Sequence, residues 1–367
     1  MRVLLDCRMA SWSGIGRYST GLARELARIP DLEIVQVVEE GAVAPVPEAE
    51  TLTARKHAFY PTGGYELGRL TDSAHPDLVH CFHVPTPIPV HHPLVVTVHD
   101  LTPLRVPEVM PSLVTRVAYR WWCGRAAAAA GLLIADSHAT ADDIASYFPR
   151  AAAHTRVVEL AADDFMDGPA GGLTPALAEG GPYLLSMGNT KPHKDLPTLL
   201  RAFAQVNVRR PELRLLLVGR DVPGFAASVL GDTPTARRVA FTGHVDDPTL
   251  RALYAGAEVF VFPSRYEGFG LPPLEAMASG TPVVCSDAAS LPEVVDEAAL
   301  LFPAGDVTAA AGAVLRVLED GGVRSSLVAA GRVRSALFTW EKTAAATVAV
   351  YRELLEAHGR PARRTGA

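Results

Sequence analysis

Two glutamates, Glu267 and Glu275, flank seven residues in the run Phe262-Pro263-Ser264-Arg265-Tyr266-Glu267-Gly268-Phe269-Gly270-Leu271-Pro272-Pro273-Leu274-Glu275. An ionised carboxylate only accepts hydrogen bonds, so such a pair suits a ligand rich in hydroxyls. Between them, Gly268 and Gly270 let backbone N–H groups approach a ligand closely. Pro272 and Pro273 suit a helix start, where a missing N–H costs nothing. The positive end of that helix would face the loop and favour phosphate. Ahead of the loop, Ala257 to Phe262 reads as a buried strand, and Gly280 reads as the glycine that closes the helix. A strand, a glycine-rich loop and a helix carrying these carboxylates fit a phosphorylated, hydroxyl-rich ligand. The alternative is two solvated charges on an ordinary strand–loop–helix.

Further polar groups sit where other strands should end. Gly14-Ile15-Gly16 follows the first strand and reads as a phosphate-approach loop or as a plain turn. A dinucleotide site is a rival, because Glu39 and Glu40 lie near the distance expected for a ribose-binding carboxylate. Ser19 at the third glycine position and the long stretch from Asp6 to Gly14 oppose it. Val98-His99-Asp100 ends another strand, with Asp100 either orienting His99 or capping the next turn. Ser137 and Thr140 suit capping of a helix. Gly188 to Asp195 contains Lys191 and Lys194. Gly219-Arg220-Asp221 and Gly243-His244-Val245 are two more strand-end loops. Asp6 and Arg8 lie at the carboxyl end of the first strand, where open α/β sheets bind ligands, and either meet a ligand or pair structurally.

Positioning these groups needs parallel sheets, and the chain alternates short apolar strands with amphipathic helices throughout. Strands are expected at Arg2–Leu5, Glu33–Val38, Leu78–Cys81, Val95–His99, Leu132–Asp136 and Arg156–Leu160. A second set is expected at Tyr183–Met187, Arg214–Val218, Val239–Thr242, Glu258–Phe262, Val283–Ser286 and Leu300–Phe302. The clearer helices are Arg17–Arg28, Leu196–Arg209, Thr249–Gly256, Leu274–Ser279 and Thr308–Leu318. The Gly/Pro/Ala-rich segment 167–181 reads as a linker, giving domains at 1–170 and 178–338. Val348, Tyr351, Leu354 and Leu355 recur at helical spacing, so 340–358 reads as a helix, followed by a frayed basic tail with Arg360, Arg363 and Arg364.

With 367 residues, 49% hydrophobic and 20% charged, the chain suits two domains with sizeable cores. A net charge of −6 gives no basic field, so nucleic acid is not an expected partner. Four scattered cysteines, Cys7, Cys81, Cys123 and Cys285, without C-x-x-C, suggest reduced thiols and a cytoplasmic protein. The histidines His80, His83, His91 and His92 crowd one region, but no familiar metal-ligand spacing completes them. Arg116–Arg125, with Trp121 and Trp122, reads either as a core helix or as a peripheral contact with the inner face of a membrane.

The frame E-G-F-G-L-P-x-L-E-A-M-A-x-G-x-P-V-V resembles the signature of the retaining family-4 glycosyltransferases. The resemblance implies a GT-B fold: two Rossmann-like domains facing across a cleft, the last helix crossing back onto the first domain. It implies that Glu275 holds the ribose diol and Glu267 the donor sugar. The amides of Gly268, Phe269, Gly270 and Leu271 would hold sugar and phosphate oxygens. Lys194 would neutralise the diphosphate, with Lys191 as a candidate second cation. Here His193 and Asp195 depart from the Arg and Asn of the family's G-x-x-x-P-R-K-N loop. Gly16 would offer its amide to the distal phosphate. His99 would face the donor sugar with its side chain, its carbonyl lying near the anomeric carbon. Gly219, Arg220, Gly243, His244 and Val245 would line the nucleobase slot, and Asp6, Arg8 and Asp100 would lie on the acceptor side. The implied activity is metal-independent transfer of a hexose from a nucleoside-diphosphate sugar, with no cofactor. D-x-R-M and G-I-G-R-Y incline the donor towards GDP-mannose, then a UDP-sugar. The acceptor would be a glycan, lipid-linked or natural-product hydroxyl. A nucleotide-sugar 2-epimerase of the same fold and a non-catalytic nucleotide-sugar-binding subunit are the alternatives.

Overall fold

The structure is a computed structural model that describes residues 1–359 apart from 163–164, 166–167, 173–179, 221 and the side chain of residue 13. Most of the expected linker, the basic tail and Asp221 therefore lie outside the described residues. The chain divides into two compact units: Met1–Leu160 with the chain from Thr339 onward, and Ala161–Phe338.

Unit 1 holds β1 (Arg2–Asp6), β2 (Glu33–Glu39), β3 (Glu50–Ala54), β4 (Leu78–Cys81), β5 (Leu94–Val98), β6 (Leu132–Ala135) and β7 (Thr155–Val157). They form one seven-stranded sheet in the order β3-β2-β1-β4-β5-β6-β7, paired in parallel throughout. Every residue of β4, β5 and β6 is buried, as a sheet covered on both faces requires. The sequence pattern missed β3. Its residues, ETLTA, are short, polar and mostly exposed, which suits a sheet edge and leaves no apolar run to detect.

Unit 2 repeats the plan with β8 (Tyr183–Met187), β9 (Arg214–Val218), β10 (Val239–Gly243), β11 (Val259–Phe262), β12 (Val283–Ser286) and β13 (Ala299–Phe302). The order is β10-β9-β8-β11-β12-β13, again all parallel. Each sheet reverses its order once, between β1 and β4 and between β8 and β11. Those are the points where loops at the carboxyl ends diverge and leave room for a ligand.

The helix Trp340–Ala357 starts on Thr339, whose side chain accepts from Lys342 N–H, and packs on the helix Ser13–Ala27 within unit 1. Its anchor is polar as well as apolar. Tyr351 Oη lies 2.6 Å from His80 Nδ1, His80 Nε2 lies 2.8 Å from Thr97 Oγ1, and Tyr18 Oη lies 2.8 Å from the same Thr97 oxygen. All four side chains are buried. The helix Leu113–Ala129 divides its tryptophans: Trp122 is buried and Trp121 is 48% exposed. Among the described residues no helix is long and apolar enough to cross a membrane.

Candidate functional site

In unit 2, the loops after β8 and β11 flank the switch point. Arg265 N–H donates to His193 O at 2.7 Å and ties the two loops together. That bond places Lys194 Nζ 2.7 Å from Glu267 Oε1, with the side chains only 19% and 15% exposed. The ammonium also lies 5.2 Å from the Phe262 ring centre, on the negative side of the aromatic quadrupole. The sequence reading set these residues on separate parts of one ligand, whereas here they hold each other.

The loop after β11 is braced from below. Ser290 Oγ lies 3.0 Å from Glu267 O and 2.5 Å from Phe269 O, and can donate to either. Phe269 packs edge-on against Phe338 at 5.7 Å. Gly270 has φ +131°, a conformation other residues rarely adopt, and it opens the helix Leu271–Ala278 without a side-chain cap. The first helical positions are Leu271, Pro272 and Pro273, so of these three only Leu271 has an N–H to offer at that end. One turn further on, Glu275 is 3% exposed, and Tyr254 O–H donates to its Oε2 at 3.0 Å. Nothing in the sequence marks Tyr254, which reads as one more position on the apolar stripe of the helix Asp247–Gly256.

The neighbouring loops meet backbone to backbone. Gly219 N–H donates to Gly243 O at 3.2 Å, and a Cβ at Gly219 would stand 2.4 Å from Gly188 O. Only glycine fits there, so this wall is made of main chain. Arg220, His244 and Lys191 are exposed, and Val245 is half-buried. Lys191 N–H donates to Asn189 Oδ1 at 3.1 Å.

In unit 1, His99 follows β5. Its Nδ1 lies 2.7 Å from Asp136 Oδ2 and its Nε2 lies 2.8 Å from the Phe82 carbonyl. Both partners are acceptors, so the ring is best satisfied with both nitrogens protonated. Burial alone would lower its pKa, but the Asp136 carboxylate outweighs burial and the value is raised. Both nitrogens are therefore engaged here, and His99 O accepts from Thr140 Oγ1 at 3.3 Å. Asp136 directly follows β6; its place at a strand's carboxyl end is visible in the sequence, but its pairing with His99 is not.

Several assignments resolve locally. Asp100 Oδ1 accepts from Thr102 N–H at 2.7 Å, so Asp100 caps a turn and makes no bond to His99. Ser137 caps the helix His138–Tyr147 by accepting from Thr140 N–H. Asp6 and Arg8 form a buried two-point pair at 2.7 Å on both contacts, and Arg8 Nη1 reaches Gly63 O at 3.1 Å. That geometry is structural. Gly14 and Gly16 lie inside the first turn of the helix Ser13–Ala27 rather than ahead of it, because Trp12 already has extended geometry and ends the loop. Gly16 N–H donates to Trp12 O at 2.7 Å, and a Cβ there would stand 2.3 Å from Ala10 O. Close approach of the Ala10 carbonyl is thus one reason for glycine at this position. Among the described residues no group of three or more His, Cys, Asp and Glu side chains is placed to hold a metal.

Two Rossmann-like parallel-sheet units with polar groups at the strand ends are the hallmark of the GT-B glycosyltransferase fold. The chain is similar in structure to sucrose-phosphate synthase from Thermosynechococcus elongatus, with TM-score 0.77, 23% identity and coverage of 97% of this chain and 100% of that one. It is similar to WaaG, a glycosyltransferase involved in lipopolysaccharide biosynthesis, with TM-score 0.72, 16% identity and coverage of 95% and 99%. Residues 181–320 match the family model described as glycosyl transferases group 1, and residues 12–164 match that of glycosyltransferase family 4. The chain belongs to the family-4 glycosyltransferases. Among curated relatives, the O-antigen chain mannosyltransferase B of Escherichia coli is 38% identical over 176 residues, 47% of this chain and 46% of that protein. The MMP alpha-(1->4)-mannosyltransferase of Mycolicibacterium hassiacum is 34% identical over 284 residues, 72% of this chain and 66% of that protein. The matches thus span about half to two thirds of these two relatives' own length.

Proposed function

We propose that this chain is a retaining, metal-independent glycosyltransferase. It moves mannose from GDP-mannose to a hydroxyl group of an acceptor. The observation that carries the reading is the Lys194–Glu267 pair at 2.7 Å beside the glycine loop of unit 2. Mannosyltransferases among the relatives favour mannose, and a UDP-sugar is the next choice. In this reading Lys194 leaves Glu267 for the diphosphate when the donor binds, and Glu267 turns to the sugar hydroxyls. Glu275 receives the ribose diol. The bond from the anomeric carbon to the phosphate oxygen breaks, and its electron pair stays on the phosphate. The acceptor oxygen bonds the same face of that carbon, and its proton passes to the departing phosphate. Lys194, the Leu271 N–H and the helix dipole stabilise the new negative charge.

Thermal shift with GDP, UDP, ADP and TDP tests the donor. At about 100 times Kd the right nucleotide adds about 2.7 kcal/mol, which raises Tm by roughly 5–10 °C. GDP is expected to give the largest shift, and transfer from labelled GDP-mannose is expected to proceed unchanged in EDTA. A protein that no nucleotide stabilises, or activity lost in EDTA and restored by manganese, would defeat the proposal.

The finer reading of location is peripheral contact with an anionic membrane. Leu113, Val114, Val117 and Trp121 are exposed along one helix whose charged residues, Arg116, Arg120 and Arg125, are all basic. Co-sedimentation with vesicles of phosphatidylcholine and phosphatidylglycerol is expected for the native chain. Val117→Glu with Trp121→Glu should cut the bound fraction at least fivefold. Equal sedimentation of both proteins would rule this contact out.

A further inference from the structure

A run of aromatic rings extends from His99 to the surface of unit 1. His83 stacks on His99 at 6.0 Å, and Phe59 meets His83 edge-on at 5.4 Å. Trp12 stacks on Phe59 at 6.1 Å with 27° between the planes. His57 lies 6.5 Å from Trp12 and 5.1 Å from Tyr60. The outer members are open to solvent: Trp12 is 42% exposed and Tyr60 is 63% exposed. Large aromatic rings grouped in the open, rather than turned into the core, mark a binding surface.

The surface is held rigid from behind. Trp122 Nε1–H donates to Phe59 O at 2.9 Å. Arg8, fixed by Asp6, donates to Gly63 O, and Gly63 N–H donates to Tyr60 O at 2.8 Å. The buried Asp6–Arg8 pair therefore anchors the turn that carries Tyr60. Glu66 Oε2 fixes the preceding residues by accepting from the N–H groups of Arg55 and Lys56 at 2.9 and 2.7 Å.

We propose that Trp12, Phe59 and Tyr60 form a stacking platform for a saccharide acceptor, leading it towards His99. This rests on the glycosyltransferase reading and chooses a sugar chain from the acceptors that reading leaves open. A pyranose presents a face of C–H groups that lies flat on an aromatic ring, while its rim of hydroxyls needs polar neighbours. The platform offers both, since His57 lies among the rings, 6.5 Å from Trp12 and 5.1 Å from Tyr60. An acyl chain needs an unbroken aliphatic floor, and this imidazole interrupts it.

The test titrates mannotriose, maltotriose and chitotriose into the full chain, followed by tryptophan fluorescence and calorimetry. At least one is expected to bind. Trp12→Ala and Tyr60→Ala should each weaken it about tenfold or more, Trp12→Phe by less than threefold, and all three should bind nucleotide as the native chain does. The platform is refuted if none of the three sugars binds the native chain, or if the alanine variants bind them unchanged. It is equally refuted if Trp12 answers only to phosphatidylglycerol vesicles. The two readings fail separately. Nucleotide binding without sugar binding removes the platform alone, while Trp12-dependent sugar binding without nucleotide binding removes the transferase reading and leaves a saccharide site.

Discussion

Lys194→Ala is expected to lower kcat for sugar transfer by about 10²–10³-fold, roughly 2.7–4 kcal/mol of transition-state stabilisation. The size of the effect follows from where the charge goes. When the sugar departs, negative charge grows on the β-phosphate in a setting where Lys194 is only 19% exposed. A fixed cation there counts for far more than it would in water. Lys194→Arg should recover only part of the loss, because a planar fork cannot take the place of a compact ammonium over the Phe262 ring. The resting pair adds a second expectation. Donor binding must separate Lys194 from Glu267, so Glu267→Gln removes a competitor for the ammonium. Free nucleoside diphosphate should then bind at least as tightly as before, while transfer falls because a sugar contact is gone. Calorimetry with the diphosphate and kcat at saturating donor read the two effects apart. If Lys194→Ala kept kcat within threefold of the native value, the lysine would be no more than a structural partner of Glu267. Glu275→Ala gives a useful contrast. It should weaken nucleotide itself, since its carboxylate, buried with Tyr254, is the group proposed to receive the ribose diol.

The residues that were legible in the sequence are those whose role is set by the local chain. Gly270 betrays a special backbone conformation, Pro272 and Pro273 betray a helix start, and the apolar run before them betrays a buried strand. All are found in place, with β11 feeding the loop and the helix beginning at Leu271. Partnerships across the fold left no such trace. Lys194 and Glu267 lie 73 positions apart, and the pairing of β8 with β11 and the Arg265–His193 bond between their loops bring them together. The Asp136 partner of His99 is 37 positions away. Tyr254 approaches Glu275 from a separate helix. For Asp100 the sequence left two roles open, orienting His99 or capping the next turn; consecutive residues leaving a strand point different ways, and Asp100 takes the second by accepting from Thr102 N–H. Gly16 carries a requirement that its sequence neighbours do not show: it lies within a helical turn, where close packing against the Ala10 carbonyl leaves no room for a Cβ.

His80 is expected to make unit 1 acid-labile. Its imidazole is wholly buried, and burial, reinforced by repulsion from His99, pushes its pKa down to about 3 from the usual 6.5. Between those values the unfolded chain binds a proton that the folded chain refuses. The folded state therefore loses stability as pH falls through this window, and the sign is fixed by the unfolded state holding more protons. One such group costs about 2 kcal/mol at pH 5 and about 3 kcal/mol at pH 4 relative to pH 7. His99 acts in the other direction, because its raised pKa gives stability that is present below 6.5 and lost as pH rises through its folded value. His99 therefore does not cancel the loss below pH 6.5, where its own contribution has levelled off. The neutral His80 joins Tyr351 of the helix Trp340–Ala357 to Thr97 of β5, so protonating it strikes the contact that seats this helix. His80→Gln keeps a donor and an acceptor but cannot take up a proton. Urea unfolding of both proteins at pH 7 and pH 5 should show the variant less stable at pH 7, from imperfect packing and hydrogen bonding. It should also lose about 2 kcal/mol less than the native chain on going to pH 5. Parallel losses in the two proteins would mean that His80 is not the group that titrates, and that the buried Tyr351–His80–Thr97 chain plays no part in acid unfolding.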